Sequence, residues 1–239
     1  MSLSATPAFR QVQREWLDEL SADDPRAIRS RRDLNRVNSW MLQSGIMAHA
    51  LMQHHNERPR AILDLGSGDG LFVLRVARIL ARRWPGVAVT MLDRQDIVSE
   101  RTRWGFEALG WSATTIKAEL PGALNLDSLP RFDVVTANLF LHHFTDQQLG
   151  PMLSRIARLA PLFVACEPRR AALPHFASRL LWAIGCNDVS RHDAVVSVEA
   201  GFNGTELSAL WPDADGWQKH EDAARLFTHC FVARRKPEQ

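Results

Sequence analysis

The sequence contains no tyrosine and only three cysteines, Cys166, Cys186 and Cys230, which are far apart and form no C-x-x-C motif. The lack of tyrosine excludes any mechanism that depends on a tyrosine acid or base. The cysteine spacing argues against a disulfide framework or a zinc site and favours a reducing compartment. We therefore look for function in other residue types.

Charge and long apolar runs are also scarce. The net charge is +2 over 239 residues, so composition makes no electrostatic case for a nucleic-acid partner. No apolar run approaches the ~18 residues of a membrane span, and residues 1–9 lack the features of a signal peptide. We expect a cytoplasmic protein, monomeric or homodimeric, that acts on a small molecule, binds no metal or nucleic acid and does not insert into membranes.

Strands and helices are predicted to alternate over residues 59–239. Five apolar strand-like segments are separated by helical patterns, which is typical of a parallel sheet with helices on both faces. Two segments around residues 216–220 and 225–233 predict a closing antiparallel hairpin. A proline- and glycine-bearing loop is expected between residue 119 and the strand at 132–138. The predicted fold class is α/β, a Rossmann-like, doubly wound, mostly parallel seven-stranded sheet.

Residues 1–58 are predicted to form an N-terminal helical cap, or substrate lid, ahead of this domain. Apolar side chains recur at three- and four-residue intervals, which predicts one helix over residues 9–20 and another over residues 37–52. Within the larger domain, about residues 171–203 are expected to form a cap-like insertion. In it, a helix gives way to a loop over residues 186–200.

Residues 61–71 read A-I-L-D-L-G-S-G-D-G-L and combine a short apolar run, an acid and three glycines. An apolar helical pattern follows directly. The combination predicts a buried strand, a tight turn and a helix whose amino end faces the turn. Glycine permits positive φ and lets a ligand approach the backbone closely, and free N–H groups at a helix start supply donors and partial positive charge. We therefore expect a nucleotide or nucleoside site.

The glycine spacing distinguishes between two kinds of nucleotide site. A dinucleotide fold requires G-x-G-x-x-G, with the third glycine packing helix on strand, but counting from Gly66 places Leu71 there. The spacing is instead D-x-G-x-G-x-G. It resembles the first motif of class I S-adenosylmethionine-dependent methyltransferases, which bind a nucleoside with a methionine tail and no pyrophosphate. A glycine turn without a ligand is the alternative.

Two further stretches extend the resemblance over about residues 60–167. They are M-L-D at residues 91–93 and F-D-V-V-T-A-N-L-F-L-H-H-F at residues 132–144, in methyltransferase order and spacing. The second is similar to the strand-four region of small-molecule methyltransferases, including quinone-biosynthesis types. It differs from the Asn/Asp-Pro-Pro-aromatic motif of enzymes that methylate adenine amino groups or amide nitrogens. DNA or glutamine N-methylation is therefore not indicated.

The resemblance implies S-adenosylmethionine as the cofactor, held at the carboxyl ends of the strands, where ligands of open α/β sheets bind. Asp93 is expected to accept hydrogen bonds from the ribose hydroxyls, with capping of the next turn as the alternative. Asp64 is expected to orient the glycine loop or the cofactor's ammonium group, Glu119 to face adenine and Asn138 to face the methionine portion. Arg94 departs from the family, which commonly has an apolar residue beside adenine. The expected cofactor-binding residues are Asp64, Gly66, Ser67, Gly68, Gly70, Asp93, Arg94, Glu119 and Asn138.

The substrate pocket is expected to draw on three regions: the N-terminal helices, the end of the fourth strand and the helix over residues 171–185. The side chains concerned are apolar or aromatic, namely Trp40, Met41, Met47, Phe140, Phe176 and Trp182. They suit an aromatic or alkyl-bearing small molecule. Ordinary core packing is the alternative, especially for the adaptable methionines.

A catalytic base is the least determined part of the site. A sulfonium methyl group is already a strong electrophile, so alignment of the reactants and exclusion of water accomplish much of the catalysis. If the nucleophile is a phenol or enol, a histidine base would help to remove its proton. His142, His143, His175 and His192 are the candidates. We expect His192, followed by the Asp193 carboxylate, with His143 second; a structural histidine is the alternative for each.

The sequence therefore predicts an S-adenosylmethionine-dependent methyltransferase that acts on a small apolar or phenolic metabolite, at oxygen, in secondary metabolism or quinone-like biosynthesis. Transfer to carbon or nitrogen is the first alternative. A non-catalytic protein that binds the cofactor, or a partner through its apolar residues 1–57, is the second. An NAD-dependent oxidoreductase is disfavoured by Leu71 and by the lack of a Tyr-x-x-x-Lys pair.

Overall fold

A computed structural model describes residues 7–55, 57–120, 129–212 and 215–237, and these contain one seven-stranded sheet. The strands are β1 (Ala61–Leu65), β2 (Ala88–Asp93), β3 (Ser112–Lys117), β4 (Val134–Asn138), β5 (Leu162–Pro168), β6 (Trp217–Ala224) and β7 (Thr228–Arg235). Their order is β3-β2-β1-β4-β5-β7-β6, with β1 to β5 parallel and β7 antiparallel to both of its neighbours. The predicted doubly wound sheet and its C-terminal hairpin are confirmed. The loop expected after residue 119 lies mostly outside the described residues.

Helices cover both faces of this sheet. They are α1 (Trp16–Glu19), α2 (Pro25–Trp40), α3 (Gln43–His54), α4 (Leu71–Leu80), α5 (Glu100–Glu107), α6 (Asp146–Leu159), α7 (Ala172–Ser178), α8 (Asp188–Ala200) and α9 (Glu206–Leu210), with short 3-10 helices at Leu141–His143 and Leu181–Ile184. Helices α3, α4 and α5 bury their apolar side chains on one face, and α6 and α9 on the other. Two apolar cores therefore enclose the central strands, as the apolar runs of β1, β4 and β5 require.

Polar contacts hold the central strand and its neighbours in position. The Asp133 carboxylate accepts the backbone N–H groups of Arg60 and Ala61, which anchors the start of β1 beside β4. Helix α6 begins with a capping box in which Thr145 and Gln148 satisfy each other's backbone donors. Because β1 pairs in parallel with both β2 and β4, the carboxyl ends of these three strands lie side by side.

Three predicted boundaries were wrong. The helix expected over residues 9–20 is reduced to α1, because side chains of the extended segment before it bond to the body of the protein; Arg10 Nε, for example, donates to Ala200 O at 2.9 Å. The helix expected over residues 37–52 breaks before α3, where Leu42 has a φ of 56°. The expected loop over residues 186–200 is helix α8, whose first turn is capped by the Asn187 side chain accepting from the Ser190 N–H at 2.8 Å.

The N-terminal helices are not a separate layer above the sheet. Met47, Ala48 and Leu51 of α3 are fully buried in the same core as β1 and β5, so α3 is part of the domain's packing. Helix α2 lies against α8 instead. The boundary at residue 58 stays a prediction, but only α1 and α2 have the position of a cap.

Two further properties complete the fold. Among the residues that the structure describes, none of the helices combines the length and the apolar character needed to cross a bilayer. Cys166, Cys186 and Cys230 are free thiols. Cys166 and Cys230 face each other across β5 and β7.

Candidate functional site

The glycine turn after β1 adopts the backbone conformation that its sequence predicts. Gly66, Gly68 and Gly70 have φ values of 68°, 54° and 73°, a region that glycine enters without strain. The Gly66 N–H donates to Leu92 O at 2.8 Å, which ties the turn to β2. A Cβ atom at Gly66 would lie 2.3 Å from the Phe140 ring, whereas one at Gly68 would meet no protein atom within 4 Å. The middle of the turn therefore faces open space.

Asp93 is fixed beside this turn at the end of β2. Its Oδ2 accepts the Gly68 N–H at 2.8 Å, and its Oδ1 accepts the Gln95 N–H at 2.8 Å. Each carboxylate oxygen keeps a second lone-pair direction for a ligand. The side chain therefore caps the following turn, and its role in binding a ribose stays a prediction.

Asp64 and Asn138 lie at the ends of neighbouring strands β1 and β4. Burial raises the pKa of Asp64 to about 7, although Thr136 Oγ1 donates to its Oδ1 at 2.7 Å and favours the ionised form. Asn138 Oδ1 and the nearby Ser67 Oγ are buried without a hydrogen-bond partner among the described residues. Such unpaired atoms are rare in folded proteins, and here they suit the polar groups of a ligand.

Two connected cavities follow these strand ends. The first, of about 220 Å³, is lined by Asp64, Ser67, Gly68 and Asn138 among others. The second, of about 440 Å³, is lined by Glu119, Phe140 and His143 among others. Gly66, Asp93, Arg94 and Leu139 line both. The predicted cofactor-binding residues other than Gly70 therefore all line one or both of these adjoining cavities.

Arg94 connects this site to the N-terminal segment. Its Nη2 donates to both Asp18 O and Asp18 Oδ1 at 2.8 Å, and Asp18 also lines both cavities. Helix α1 therefore forms one wall of the site. Nothing in the sequence indicated this, because the pair is separated by 76 residues.

A third cavity, the apolar cleft, adjoins the first. It has a volume of about 250 Å³ and is enclosed by α2, the start of α3, α7, the 3-10 helix Leu181–Ile184 and α8. Leu34, Asn38 and Leu139 line both the apolar cleft and the first cavity. Leu139 has a φ of 51°, unusual for a leucine, and its N–H donates to Cys166 O at 2.9 Å. This strained residue stands where the cavities meet.

The predicted substrate residues are only partly brought together. Trp40 and Met41 line the apolar cleft, whereas Phe140 lines the cavity next to Glu119. Met47 is completely buried in the core under α3. Phe176 and Trp182 are about half exposed or more, and their helices present other residues to the cleft. Sequence reasoning missed Asn38, Gln43, Leu139, Ala177 and Leu181 as lining residues.

Neither predicted base lines the apolar cleft. His192 stacks on the Trp16 ring, with centroids 3.9 Å apart, and its Nδ1 lies 2.9 Å from Asp193 Oδ1. His143 lines the cavity of Glu119 and lies 3.5 Å from Asp18 Oδ2. The predicted His192–Asp193 pair exists because both residues are on α8 rather than in an extended loop. A role for either histidine as a base stays a prediction.

His142 forms a buried ionic cluster that the sequence did not reveal. Its Nδ1 lies 2.8 Å from Glu167 Oε2 and its Nε2 lies 3.3 Å from Glu15 Oε1. Burial works against the charged form, but hydrogen bonds to Glu15 and Glu167 raise the pKa of His142 to about 9. Ser197, which lines the apolar cleft, donates to Glu15. The cluster joins the N-terminal segment, the end of β5 and α8.

Glu167 also positions the segment that follows β4. Its Oε1 accepts the backbone N–H groups of Phe140 and Leu141 at 3.0 and 2.9 Å. Burial opposes ionisation, yet the hydrogen bond from His142 and these N–H groups lower the pKa of Glu167. The charged cluster thus holds Leu139 and Phe140 at the junction of the cavities.

Known proteins share both the sequence of the central region and the fold. Residues 62–161 match the family described as "Methyltransferase domain". Uncharacterized methyltransferases of Mycobacterium bovis and Mycobacterium tuberculosis are each 32% identical over 125 residues, 50% of this chain and 58% of theirs. Among solved structures, the plantazolicin methyltransferase BpumL in complex with SAH is similar with a TM-score of 0.64 at 12% identity, covering 90% of this chain and 92% of that one. An O-methyltransferase family protein from Burkholderia thailandensis has a TM-score of 0.61 at 20% identity, covering 91% and 62%.

Residues 62–161 therefore match a methyltransferase domain, and the described residues have the fold of solved methyltransferases. The resemblance drawn from the glycine motif, M-L-D and the strand-four region is confirmed. The chain spans 58% of the length of the curated relatives it matches. The two solved structures share its fold at low sequence identity, so the acceptor has to be inferred from this chain's own cavities.

Proposed function

We propose that this protein transfers the methyl group of S-adenosylmethionine to oxygen of a small, apolar or phenolic acceptor bound in the apolar cleft. The observation that carries the proposal is the meeting of two unlike cavities at Leu34, Asn38 and Leu139. One is lined by the glycine turn and several charged side chains, whereas the other is apolar and lies under α2 and α7. A methyl donor and an apolar acceptor held in these cavities would meet at their junction.

The residues of the polar cavities fit the cofactor. We assign Asp93 to the ribose hydroxyls, Asp64 and Asn138 to the methionine portion and Glu119 to the adenine side. The unpaired atoms of Ser67 and Asn138 and the open space at Gly68 support this assignment. When bound, the cofactor would supply an electrophilic methyl group: the acceptor oxygen would bond to it as the methyl–sulfur bond breaks, S-adenosylhomocysteine would be the leaving group, and the hydroxyl proton would pass to solvent.

Positioning is the main contribution of the cleft to the reaction. The described residues that line it include no titratable side chain, so apolar walls would exclude water and align the acceptor. Asn38 Oδ1 has no hydrogen-bond partner in the described part of the chain, and it would accept the hydrogen bond of a reacting hydroxyl. The same lack of a base in the lining favours transfer to nitrogen or carbon as a second candidate, because such acceptors depend less on proton removal.

Filling the cleft should separate methyl transfer from cofactor binding. Ala177 on α7 lines the apolar cleft, so Ala177→Trp is expected to lower transfer to phenolic acceptors such as 2-naphthol by at least about tenfold, since overpacking costs about 1–3 kcal/mol, while cofactor affinity is kept. The measurement is transfer from methyl-labelled S-adenosylmethionine, with calorimetry for the cofactor. Ala172→Trp, on the exposed side of the same helix, is the matched control and should leave both unchanged.

Three results of this assay would count against the proposal. Label recovered on nitrogen or carbon of amine or enol acceptors would move the function to the second candidate. Cofactor binding without transfer to any acceptor would favour a non-catalytic protein. Equal activity in Ala177→Trp and wild type would show that the acceptor binds elsewhere. His192→Ala and His143→Ala, assayed alongside, test the predicted bases through a loss specific to phenols.

Cofactor binding is expected to release protons near neutral pH. Burial raises the pKa of Asp64 to about 7, so the carboxyl is mostly protonated at pH 6.5 and would ionise when the cofactor's ammonium group approaches. Calorimetry at pH 6.5 in buffers of different ionisation enthalpy should detect release of roughly three quarters of a proton. Asp64→Asn should abolish the release, and Asp96→Asn, at an exposed site on the protein, should preserve it. Binding without proton release by the wild type would refute the role of Asp64.

A further inference from the structure

The apolar cleft contains one completely buried polar side chain, that of Gln43. This residue has no solvent exposure, and neither its Oε1 nor its Nε2 has a hydrogen-bond partner among the described residues. Gln43 lines the cleft but not the polar cavities of the cofactor site. A buried amide with both atoms unpaired destabilises the free protein, and folded proteins retain few such groups.

The backbone places Gln43 in the cleft through a strained connection. Helix α2 ends at Trp40, Leu42 takes a φ of 56° and α3 starts at Gln43 itself. A left-handed leucine is unfavourable, and strain of this kind is often found at ligand sites. A continuous helix would have avoided both this strain and the break.

The other polar side chains of the cleft differ from Gln43. Ser178 Oγ donates to His175 O at 2.9 Å, and Ser197 donates to Glu15. Asn38 Oδ1 is unpaired but lies at the junction with the cofactor cavity. Among the described residues that line the cleft away from the cofactor cavity, Gln43 therefore has both a donor and an acceptor unused. Both remain available to a ligand.

We propose that the apolar cleft selects neutral acceptors that carry a carbonyl group next to an N–H or O–H group, as in a lactam, and that Gln43 binds this pair. A carboxamide presents one acceptor and one donor side by side, which matches that arrangement. The described residues lining the cleft include no charged side chain, which disfavours ionised acceptors. The inference rests on the proposed function, because it assigns the acceptor to this cleft.

Two bicyclic phenols of similar size test the selection. The first is 6-hydroxyquinolin-2(1H)-one, a phenol with a lactam, and the second is 2-naphthol, a phenol without one. Calorimetry on protein loaded with S-adenosylhomocysteine should show tighter binding of the lactam by the wild type. Gln43→Met should weaken lactam binding by about tenfold to a hundredfold and leave 2-naphthol binding nearly unchanged.

The melting temperature distinguishes a ligand-binding glutamine from a structural one, because replacement of a structural glutamine would not raise it. Removal of an unpaired buried amide should raise the melting temperature of the free Gln43→Met protein by about 2–4 °C. Gln53→Met, at an exposed glutamine on the same helix, is the matched control and should change neither stability nor probe binding. Higher stability together with lost lactam preference is the expected pattern.

Several outcomes would overturn the selection. They are binding of both probes equally, or of neither, by the wild type; a lactam preference retained in Gln43→Met; and a lower melting temperature of the variant with loss of both probes, as replacement of a structural residue would produce. Methyl transfer from labelled S-adenosylmethionine to 2-naphthol tests the proposed function separately from the role of Gln43. Transfer without lactam preference removes the role of Gln43 and leaves the proposed function standing, whereas no transfer to any phenol or amine removes the proposed function itself.

Discussion

Gly68→Ala is expected to weaken S-adenosylmethionine binding about a hundredfold while the protein still folds. Gly68 has a φ of 54°, and a Cβ atom there would meet no protein atom within 4 Å, so it would project into the cavity that we assign to the cofactor. Overlap with a bound ligand costs about 1–3 kcal/mol, and 1.4 kcal/mol is tenfold in affinity. Isothermal titration calorimetry measures the effect directly.

Gly110→Ala is the matched control for this prediction. Gly110 has a φ of 72° and also leaves a Cβ atom without neighbours within 4 Å, but it lies between α5 and β3, away from the cavities. Both variants therefore carry the same backbone strain, about 1–2 kcal/mol, and should lose similar melting temperature. Only Gly68→Ala should lose the cofactor; equal affinities in the two variants would place the cofactor elsewhere.

The sheet and the grouping of the candidate cofactor-binding residues were predictable because their signals are local in sequence. The acid, the three glycines and the apolar helix occupy residues 61–80 without interruption, and Asp93 directly ends the next strand. In a parallel sheet the carboxyl ends of the strands meet at one edge. The order of the motifs along the chain is therefore enough to bring Gly66, Asp93 and Asn138 together.

The acceptor half could not be predicted in the same way, because distant segments assemble it. Helices α2, α7 and α8 each contribute side chains to the cleft, and which face each presents depends on tertiary packing. Apolar periodicity gave Met47 and Trp182 equal weight with Trp40, although the first is core and the second is exposed. The positive φ values of Leu42 and Leu139 have no sequence signal, since leucine is not expected there.

Histidine pairs are ambiguous in sequence for a related reason. Leu141-His142-His143 follows β4, so the spacing was compatible with a structural as well as a catalytic role. The hydrogen-bond partners that indicate a structural role for His142 are remote in sequence. Glu15 is 127 residues away from it and Glu167 is 25 residues away. The structure places the buried charge on His142, which we expect to hold the site together.

His142→Leu is expected to destabilise the protein by about 3–5 kcal/mol. His142 is almost completely buried between the carboxylates of Glu15 and Glu167, and removal of one partner leaves buried charge uncompensated. Chemical denaturation at pH 7 measures the free energy of unfolding. His49→Leu, at an exposed histidine on α3, is the control and should change the free energy by no more than about 0.5 kcal/mol.

The same cluster predicts how wild-type stability depends on pH. Despite burial, hydrogen bonds to two carboxylates raise the pKa of His142 from its ordinary value of 6.5 to about 9. Its contribution is therefore complete below pH 6.5 and is lost as pH rises through 9. Burial likewise opposes ionisation of Glu15, but the charges of His143 and His142 lower its pKa from 4.5 to about 2. That contribution is complete above pH 4.5 and is lost as pH falls through 2.

Unfolding measurements on the wild type and His142→Leu at intervals from pH 5 to pH 9.5 test this linkage, because a decline in stability above pH 7, beyond the range in which Asp64 ionises, should occur in the wild type alone. In His142→Leu the imidazole between Glu15 and Glu167 is absent, so the decline should move to the lower pH range in which the uncompensated carboxylates bind protons. A wild-type stability that stays constant between pH 6.5 and 9 would contradict a protonated His142. A loss of stability in His142→Leu no greater than in His49→Leu would show that the Glu15 and Glu167 carboxylates do not depend on His142. The segment from Leu139 to Leu141 would then be held by other contacts.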